Sequence, residues 1–363
     1  MKFLIVADPH WSQHSSIVRK RGEVYSARLE NLIKSVSWAE GVAYDHQCNS
    51  IIYIGDFFDS CQLNSEEISA LHEIWWAPLS HIYITGNHET NTSNLEYSTT
   101  DLFKLCPNST VINQPQLFTV ENDTCELAFL PYILERDRKA LSEYFPLSNR
   151  KRVIFSHNDI KDISYGPFVS KEGFSIDEIH ENCQLFLNGH IHHGMAVTDR
   201  IINVGNLTGQ NFTEDASKFD HCVALLDTET MRVEYFCNPY AFNFYKIDFT
   251  RNYSQVDLKN TLAKLKPNAV ITIKVSESFA SQAREFLENF GSAFVHTYRL
   301  IVEPELSTIQ ELQENSLAQM DHIEQFRLYV RENIGTTSII EEELYHITGG
   351  HLVAYSISKD YTT

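Results

Sequence analysis

The stretch SIIYIGDFFD, residues 50–59, decides the fold class of this chain. Its first five residues read as a short β-strand, because an apolar run bounded by glycine is typical of a buried strand. The strand leads directly into Gly55 and Asp56, with Asp59 close behind. In open α/β sheets, polar side chains beyond the carboxyl ends of strands form ligand sites. The stretch therefore predicts an α/β fold with a functional site at a strand end.

The same pattern of a short apolar strand recurs on both sides of this stretch, with helical segments between the strands. The predicted strands are Phe3–Ala7, Ser50–Ile54, His81–Thr85, Glu126–Pro131, Arg152–Ser156, Leu185–Asn188, Arg200–Val204 and His221–Asp227. The predicted helices are Val24–Val42, Ser65–Ala77 and Thr99–Leu105. Strands that alternate with helices favour a layered α/β domain. We predict that this domain spans residues 1–243.

The pattern restarts after Asn238-Pro239, a dipeptide that marks a junction. Residues 244–303 predict a small α/β module without a His/Asp cluster. Its predicted strands are Phe244–Phe249, Ala269–Val275 and Ala293–Val302, and its predicted helices are Val256–Leu265 and Phe279–Phe290. Residues 304–363 predict a helical C-terminal segment, because apolar side chains recur at helical spacing between 306 and 334. The chain is therefore predicted to consist of two α/β units and a helical tail.

The composition limits the classes of function. The chain has 363 residues and a formal net charge of -19, from 29 basic and 48 acidic side chains. That balance works against simple nucleic-acid binding, although bound divalent cations would relieve part of it locally. The seven cysteines are scattered, so a reducing, cytoplasmic location is expected instead of a disulfide framework. No stretch approaches the roughly 18 apolar residues that span a bilayer, and no membrane partner is expected.

Five segments each place metal-binding side chains just after a predicted strand. They are Asp8-Pro9-His10, Gly55-Asp56-Phe57-Phe58-Asp59, Gly86-Asn87-His88-Glu89, Ser156-His157-Asn158 and Gly189-His190-Ile191-His192-His193. Residues i and i+2 of a strand lie on the same side, so Asp8 and His10 can bind one site from one edge, as can His190 and His192. The glycine that opens three of the segments lets the backbone turn sharply and approach the ions. Together the segments predict a metal centre.

The ligand types indicate which ions this centre binds. Carboxylate, imidazole and amide ligands suit manganese, iron or zinc, whereas magnesium and calcium favour oxygen alone. We expect two divalent ions, with Mn²⁺ favoured over Mg²⁺, Fe²⁺ or Zn²⁺. Two-metal centres hold their ions about 3.5–4 Å apart, generate hydroxide near neutral pH and clamp both oxygens of an in-line displacement. A carboxylate can bridge the ions, and Asp56 is the central candidate.

The order D-x-H, GDxxD, GNHE, H and GHxH resembles the signature of the calcineurin-like metallophosphoesterases, over about residues 1–230. The resemblance implies a two-sheet α/β sandwich flanked by helices. It implies that one metal is bound by Asp8, His10 and His192, and the other by Asn87, His157 and His190, with Asp56 bridging. It also implies that His88 faces the scissile phosphate, stabilising its charge or protonating the leaving oxygen, and that Asp59 supports His88.

Within that superfamily the chain looks most like the SbcD-type DNA nuclease subunit, including the phage recombination endonuclease subunits. Phe57-Phe58-Asp59 resembles the GDxFD form of the second motif, and Ala224–Glu234 resembles the closing strand pair of the phage members. The module at 244–303 matches the position of their capping domain, and the tail matches their docking segment. The resemblance implies a DNA exo/endonuclease subunit that acts in repair and recombination. Its partner would be an SbcC-type coiled-coil ATPase, and it would form a homodimer within a heterotetramer.

Two other functions stay open from the sequence. A stand-alone phosphatase or cyclic-nucleotide phosphodiesterase of the same superfamily agrees better with the acidic charge balance. A non-catalytic interaction protein is the third alternative, and the complete set of motifs argues against it. The basic run Arg19-Lys20-Arg21 is read equally well as a DNA phosphate contact or as a solvated loop. His193 is expected to be solvated or to lie behind the ligands, and Asn158 and Asp159 are explained by turn chemistry as well as by substrate contact.

Overall fold

The structure is a computed structural model, and it describes residues 1–13, 22–74, 78–91, 94–119, 125–165, 168–251 and 254–304. The basic run Arg19-Lys20-Arg21 and the helix predicted between 306 and 334 lie outside the described residues. Among the helices of these ranges, none is both long and apolar enough to span a membrane.

Strands and helices are numbered in chain order. The strands are β1 (Lys2–Val6), β2 (Ser50–Ile54), β3 (Ser80–Ile84), β4 (Thr90–Asn91), β5 (Asn94–Ser98), β6 (Ser109–Ile112), β7 (Gln116–Thr119), β8 (Cys125–Leu130), β9 (Lys151–Ser156), β10 (Ser164–Tyr165), β11 (Phe168–Val169), β12 (Leu185–Asn188), β13 (Met195–Ala196), β14 (Ile201–Asn203), β15 (Cys222–Asp227), β16 (Arg232–Cys237), β17 (Asn243–Phe249), β18 (Ala269–Ser276) and β19 (Thr297–Glu303). The α-helices are α1 (Ala27–Asp45), α2 (Ser65–Leu71), α3 (Leu141–Tyr144), α4 (Ile176–Asn182), α5 (Gln255–Leu262) and α6 (Glu277–Phe290). Short 3₁₀ helices span Thr99–Leu105, Glu135–Asp137 and Gly291–Ala293.

Two six-stranded sheets form the larger part of the molecule. The first has the order β16-β15-β1-β2-β3-β6. Its strands β1, β2, β3 and β6 run parallel, and β15 and β16 pair antiparallel at one side. The second sheet has the order β13-β14-β12-β9-β8-β7. Its four central strands are parallel, and each edge strand is antiparallel to its neighbour.

The side chains of β1 show how the layers stack. Phe3 and Ile5 lie in the apolar cluster between the two sheets, together with Phe155 of the second sheet. Leu4 and Val6 point the other way, into a cluster shared with α1 and α2. A further cluster packs α3 and α4 onto the outer face of the second sheet. The predicted two-sheet α/β sandwich flanked by helices is therefore confirmed, and the apolar runs of its strands reflect burial on both faces.

Helix α1 begins three residues later than predicted because of its cap. The Ser26 side chain accepts a hydrogen bond from the Leu29 amide at 3.2 Å, and capping by serine fixes where a helix starts. Val24, the predicted first residue, lies outside the helix and is 67% exposed. The helix ends where Gln47 adopts a φ of 54°, a left-handed conformation that does not continue a helix.

Several short elements differ from the sequence prediction. The segment Thr99–Leu105, predicted as a helix, forms the tighter 3₁₀ type, which is common in short connecting turns. Helix α2 ends at Leu71 instead of Ala77, and residues 75–77 lie outside the described ranges. Strands β6 and β7 were not predicted, because their exposed or half-exposed positions weaken the apolar pattern.

A separate three-stranded parallel sheet, β17-β18-β19, forms the smaller unit. Helices α5 and α6 pack on one face of it over their own apolar cluster. The Gly209 amide donates to the Phe242 carbonyl, and the Ala216 amide donates to the Phe244 carbonyl. The Lys266 ammonium donates to the carbonyl of Ala216 at 2.8 Å. These bonds tie the unit to the loop that follows β14, while the predicted division into domains at residues 243 and 303 stays a prediction.

A buried ion pair supports the second sheet and yields a test of its stability. Arg152 and Glu126 lie on neighbouring strands β9 and β8, with 2.7 Å between Arg152 Nη2 and Glu126 Oε2. The same guanidinium donates to the carbonyls of Phe145 and Pro146. Both charged side chains therefore have hydrogen-bond partners within the protein.

We predict that Arg152→Met lowers the free energy of unfolding by about 3–5 kcal/mol, because Glu126 is left as an unpaired buried charge. The double variant Arg152→Met/Glu126→Leu should recover much of this loss, since it removes both charges. Urea denaturation followed by circular dichroism measures both midpoints. A single variant as stable as the native chain would contradict the assignment.

Candidate metal centre

Five loops bring polar side chains to one end of the sandwich. They follow β1, β2 and β3 of the first sheet and β9 and β12 of the second. These strands are parallel within each sheet, so their carboxyl ends lie at a common edge. Three groups of side chains, each with ligand atoms within 4.8 Å of one another, meet there. The groups are Asp8, His10 and His192; His10, Asp56 and His88; and Asp56, His157 and His190.

The first group is organised around two imidazoles. Nε2 of His10 and Nε2 of His192 lie 2.9 Å apart. Nδ1 of His10 is 3.0 Å from the Asp59 carboxylate, and Nδ1 of His192 is 3.4 Å from the Glu214 carboxylate. A carboxylate only accepts, so each Nδ1 is a donor and each neutral Nε2 is left as an acceptor. Two acceptors at that distance require a positive charge between them. The carboxylate of Asp8, the third member of the group, lies 3.9 Å from His10 Nε2.

The second group has the same chemistry. Nε2 of His157 is 3.1 Å from Asp56 Oδ2 and 3.1 Å from Asn87 Oδ1. Nδ1 of His190 is 2.9 Å from the same Asn87 oxygen. His157 uses its other nitrogen, Nδ1, to donate to the Ile54 carbonyl at 2.8 Å. Its Nε2 is thus directed at oxygen atoms that only accept, as a metal-binding imidazole would be.

Asp56 connects the two groups. Its Oδ2 lies 3.9 Å from His10 Nε2 on one side and 3.1 Å from His157 Nε2 on the other. Its Oδ1 accepts from the His88 amide at 2.9 Å, which fixes the carboxylate. The residue is 2% exposed. This position between both groups is the one that the sequence predicted for a bridging ligand.

The electrostatic interactions between Asp56 and His157 favour a cation beside Asp56. Burial alone would raise the pKa of the Asp56 carboxyl, but the neighbouring His157 and His10 imidazoles hold it well below its usual range. Burial alone would likewise lower the pKa of His157, but the Asp56 and Asp8 carboxylates raise it to about 10. The acceptors at this seam therefore require positive charge, which either protons or divalent ions can supply.

The backbone reaches the site through unusual conformations. The φ angles of Asp8, His10, Asp56 and His190 lie between 47° and 72°, where residues other than glycine are uncommon. Such conformations cluster at functional sites, where the surrounding structure holds them in place. The expected i, i+2 alternation does not apply, because β1 ends at Val6 and the left-handed residues follow it. The ligands converge through strained turns and not through a continuing strand.

Two glycines allow the close approach of these turns. Gly55 has a φ of +86°, and a Cβ on it would lie 2.1 Å from His157 Nδ1. A Cβ on Gly189 would lie 2.4 Å from the Ile54 carbonyl oxygen and 2.9 Å from Asp8 Oδ2. Any side chain at these positions would displace a ligand, which agrees with the role that the sequence predicted for them.

His88 occupies the open side of the centre. Its side chain is 43% exposed, whereas His10 and His157 are buried. Nδ1 of His88 lies 3.0 Å from the Asp59 carbonyl oxygen and 3.7 Å from the Asp59 carboxylate. The sequence predicted that Asp59 supports His88. In the structure its backbone makes the closer contact with His88, and its carboxylate lies closer to His10.

The sequence of the whole second sheet and of strands β1, β2, β3 and β6 of the first matches a family model. Residues 1–215 match the model of the calcineurin-like phosphoesterases. The chain belongs to the calcineurin-like phosphoesterase family. It is accordingly a metal-dependent hydrolase, and the acceptor atoms described above fit the dinuclear centre of this family.

Solved structures with detectable similarity include TT1561 from Thermus thermophilus, at 12% identity and a TM-score of 0.39. The match covers 65% of this chain and 98% of that protein. A dimetal phosphatase from Danio rerio matches at 12% identity and a TM-score of 0.37, over 62% of this chain and 91% of that protein. No curated protein matches the chain. Membership of the phosphoesterase family rests on the family model.

Several residues around the phosphoesterase centre were missed or underestimated by sequence reasoning. Glu214 orients His192. The Gln210 side chain donates to the Asp59 carboxylate at 2.6 Å, and the Gln210 backbone amide donates to the Glu214 carboxylate. Asp159 lies 3.5 Å from His190 Nε2, so it contacts a predicted ligand instead of only shaping a turn. Glu214, Gln210 and Asp159 each lie far in the sequence from His192, Asp59 and His190, respectively, so no local motif links them.

A buried arginine ties two of the loops together. Arg28 of α1 is 1% exposed and donates to the Pro9 carbonyl at 3.0 Å and the Gly209 carbonyl at 2.8 Å. Pro9 separates two predicted ligands, and Gly209 precedes Gln210. Burial lowers the pKa of the guanidinium to about 10, so it stays charged at neutral pH.

His193, which follows the predicted ligand His192, stacks on Phe219 with 4.5 Å between ring centroids.

We predict that Glu214→Ala weakens metal binding by about 10–100-fold, because carboxylates that orient a ligating imidazole contribute on this scale. Isothermal titration of metal-free protein with Mn²⁺ measures the change. The neighbouring variant Asp215→Ala is the control, since Asp215 contacts Ser217 and Lys218 and none of the ligands. Equal affinities for both variants would show that Glu214 does not orient His192.

Proposed function

We propose that this phosphoesterase is a dinuclear-metal phosphodiesterase that acts on DNA, as the exo/endonuclease subunit of an SbcCD-type repair and recombination complex. The phosphodiesterase part of this proposal rests on one observation. His88 is exposed, whereas the acceptors beside it are buried. His10 and His157 are at most 1% exposed, but His88 faces solvent. An extended phosphodiester can therefore approach from the His88 side without unfolding the centre.

The residues around the centre divide the work of hydrolysis. Two divalent ions, with Mn²⁺ preferred, supply the activation of water and the neutralisation of phosphate charge. Asp56 would lie between the two ions when they are bound, and the Asp59 carbonyl fixes the ring of His88 through Nδ1. Donation of a proton to the leaving oxygen then falls to the other nitrogen of His88, which carries that proton in the imidazolium form. A positioned acid of this kind contributes typically about 10²–10⁴-fold in rate.

We predict different losses for two variants. His88→Ala should retain both ions and lose about 10²–10⁴-fold in turnover of a chromogenic phosphodiester. Asp56→Ala should lose metal, because the carboxylate between the two groups is gone. Metal content by mass spectrometry and activity after chelation and Mn²⁺ re-addition check both results. Loss of metal from His88→Ala would contradict the separation of roles, and full activity without metal would contradict the proposal.

An open sheet face supports DNA as the substrate. The face of β17-β18-β19 opposite α5 and α6 carries Lys246, Lys274 and Arg299, with Lys246 and Arg299 in one cross-strand row. These side chains line a cleft of about 540 Å³ together with Phe212. Phe212 lies in the loop between Gln210 and Glu214, which contacts the centre. Asp248 also lines the cleft, and Lys274 is paired with Glu303 at 3.0 Å, so Lys246 and Arg299 are the cations proposed to meet a DNA backbone.

We predict that Lys246→Ala/Arg299→Ala weakens DNA binding. The slope of the logarithm of the binding constant against the logarithm of the salt concentration should become shallower by about one for each lost phosphate contact. Turnover of a small phosphodiester should be unchanged. Lys259→Ala is the control, because Lys259 lies on α5 at the other face of the same sheet. Fluorescence anisotropy at several salt concentrations measures the binding. Equal DNA affinity for all three proteins would remove this support.

The net charge of -19 favours a second candidate function. A stand-alone phosphatase or cyclic-nucleotide phosphodiesterase would use the same centre without a polyanionic substrate. Hydrolysis of cyclic nucleotides or phosphomonoesters, with no cleavage of end-labelled DNA under the same conditions, would favour this alternative.

We further propose that residues 304–363 dock onto a coiled-coil ATPase in the cytoplasm, with two nuclease chains in the complex. The proposal is supported by apolar side chains at helical spacing in a segment that follows the small unit. We predict that truncation after Pro304 preserves hydrolysis of a small phosphodiester and abolishes co-purification with the ATPase. Equal recovery of the ATPase by full-length and truncated chains would contradict the docking role.

A further inference from the structure

Two cysteines face each other across the outer strands of the first sheet. Cys222 of β15 and Cys237 of β16 are register partners in an antiparallel ladder. Their Sγ atoms lie 3.1 Å apart, and both thiols are free. They are 15 residues apart in the sequence, so strand pairing and not local sequence brings them together.

The position in the ladder permits a covalent bond. The Asn238 amide donates to the His221 carbonyl at 2.8 Å, so the next pair, Cys222 and Cys237, occupies a non-hydrogen-bonded position. The Cα atoms of such pairs are typically about 4.5 Å apart, which lies within the range of about 4.4–6.8 Å that disulfides span. Little backbone movement is needed to join the two sulfur atoms.

We propose that Cys222 and Cys237 form a reversible disulfide modification site that is oxidised by low-molecular-weight disulfides such as oxidised glutathione. The Cys237 thiolate attacks one sulfur of the oxidant, whose S–S bond breaks and releases a thiolate. The Cys222 thiolate then attacks Cys237 Sγ, forming the Cys222–Cys237 bond and releasing the second thiolate. The two thiols lose two electrons and two protons in total, and the oxidant becomes two thiols.

The different exposure of the two cysteines sets this order. Cys237 is exposed and accessible to the oxidant, whereas Cys222 is buried. Burial raises the pKa of the Cys222 thiol, so Cys222 reacts poorly with a dissolved oxidant but lies in contact with Cys237. Cys61 is also exposed, but it lies in a bend after β2 and not in a paired strand.

The bond would link β15 and β16 at the end of the strand pair from which the chain continues into the small unit. Asn238 follows Cys237, and its side chain donates to Ser35 Oγ and to the Leu207 carbonyl. His221 precedes Cys222 and contacts the Asn206 carbonyl at 3.1 Å. These contacts fasten β15 and β16 to the loop after β14. A covalent link between the strands restricts the unfolded chain and therefore stabilises the folded one.

The test uses the full-length protein with bound metal and oxidised glutathione as the probe. Peptide mapping without reductant should show the peptides of Cys222 and Cys237 joined, with a loss of two hydrogen atoms. The thermal midpoint should rise by several degrees, and dithiothreitol should reverse both changes. Cys61→Ser should behave like the native chain. Cys222→Ser should instead retain glutathione on Cys237 and show no rise in the midpoint.

Two outcomes would overturn the inference. In the first, the native chain keeps glutathione on Cys237, which would mean that Cys222 does not reach it. In the second, the joined peptides form but the thermal midpoint stays the same, which would mean that the link does not secure the strand pair. Both readouts are independent of hydrolytic activity.

Discussion

Hydrogen-bond acceptors are concentrated at the seam between the two sheets, and the rest of the site follows from the need to neutralise them. Asp8 and Asp56 are almost fully buried, and the inward nitrogens of His10 and His157 are acceptors as well when these imidazoles are neutral. Buried negative charge is unfavourable unless it is paired. The orienting partners keep the outward nitrogens protonated, so the inward lone pairs cannot turn away. The seam is therefore a preorganised cation site, with an energetic demand that divalent ions meet.

The strands of the sandwich could be predicted because their burial is visible in the sequence. Ser50–Ile54 and Leu185–Asn188 have the predicted bounds, since each is an apolar run between polar or glycine-containing turns. Strand β16 was not predicted as a separate element, because its side chains alternate between exposed and half-buried positions at a sheet edge. The start of α1 was displaced because the Ser26 cap, and not apolar spacing, sets it.

The site could be located from the sequence, but its geometry could not. Five motifs at strand ends identified the groups that converge, because parallel strands place their carboxyl ends together. The left-handed backbone at Asp8 and His10 could not be predicted, because Asp and His adopt that conformation more often than most residues but still in only a small fraction of positions. Glu214 and Asp159 acquire their roles only through tertiary contact. Long-range partners of this kind follow from the fold and not from local pattern.

The central claim is that these acceptors hold two ions on either side of Asp56, and anomalous diffraction tests it most directly. Crystals grown with Mn²⁺ and measured at the manganese edge should show two peaks about 3.5–4 Å apart. One peak should lie among Asp8, His10 and His192, and the other among Asn87, His157 and His190, with the Asp56 carboxylate between them. A single peak, or peaks away from these side chains, would contradict the account.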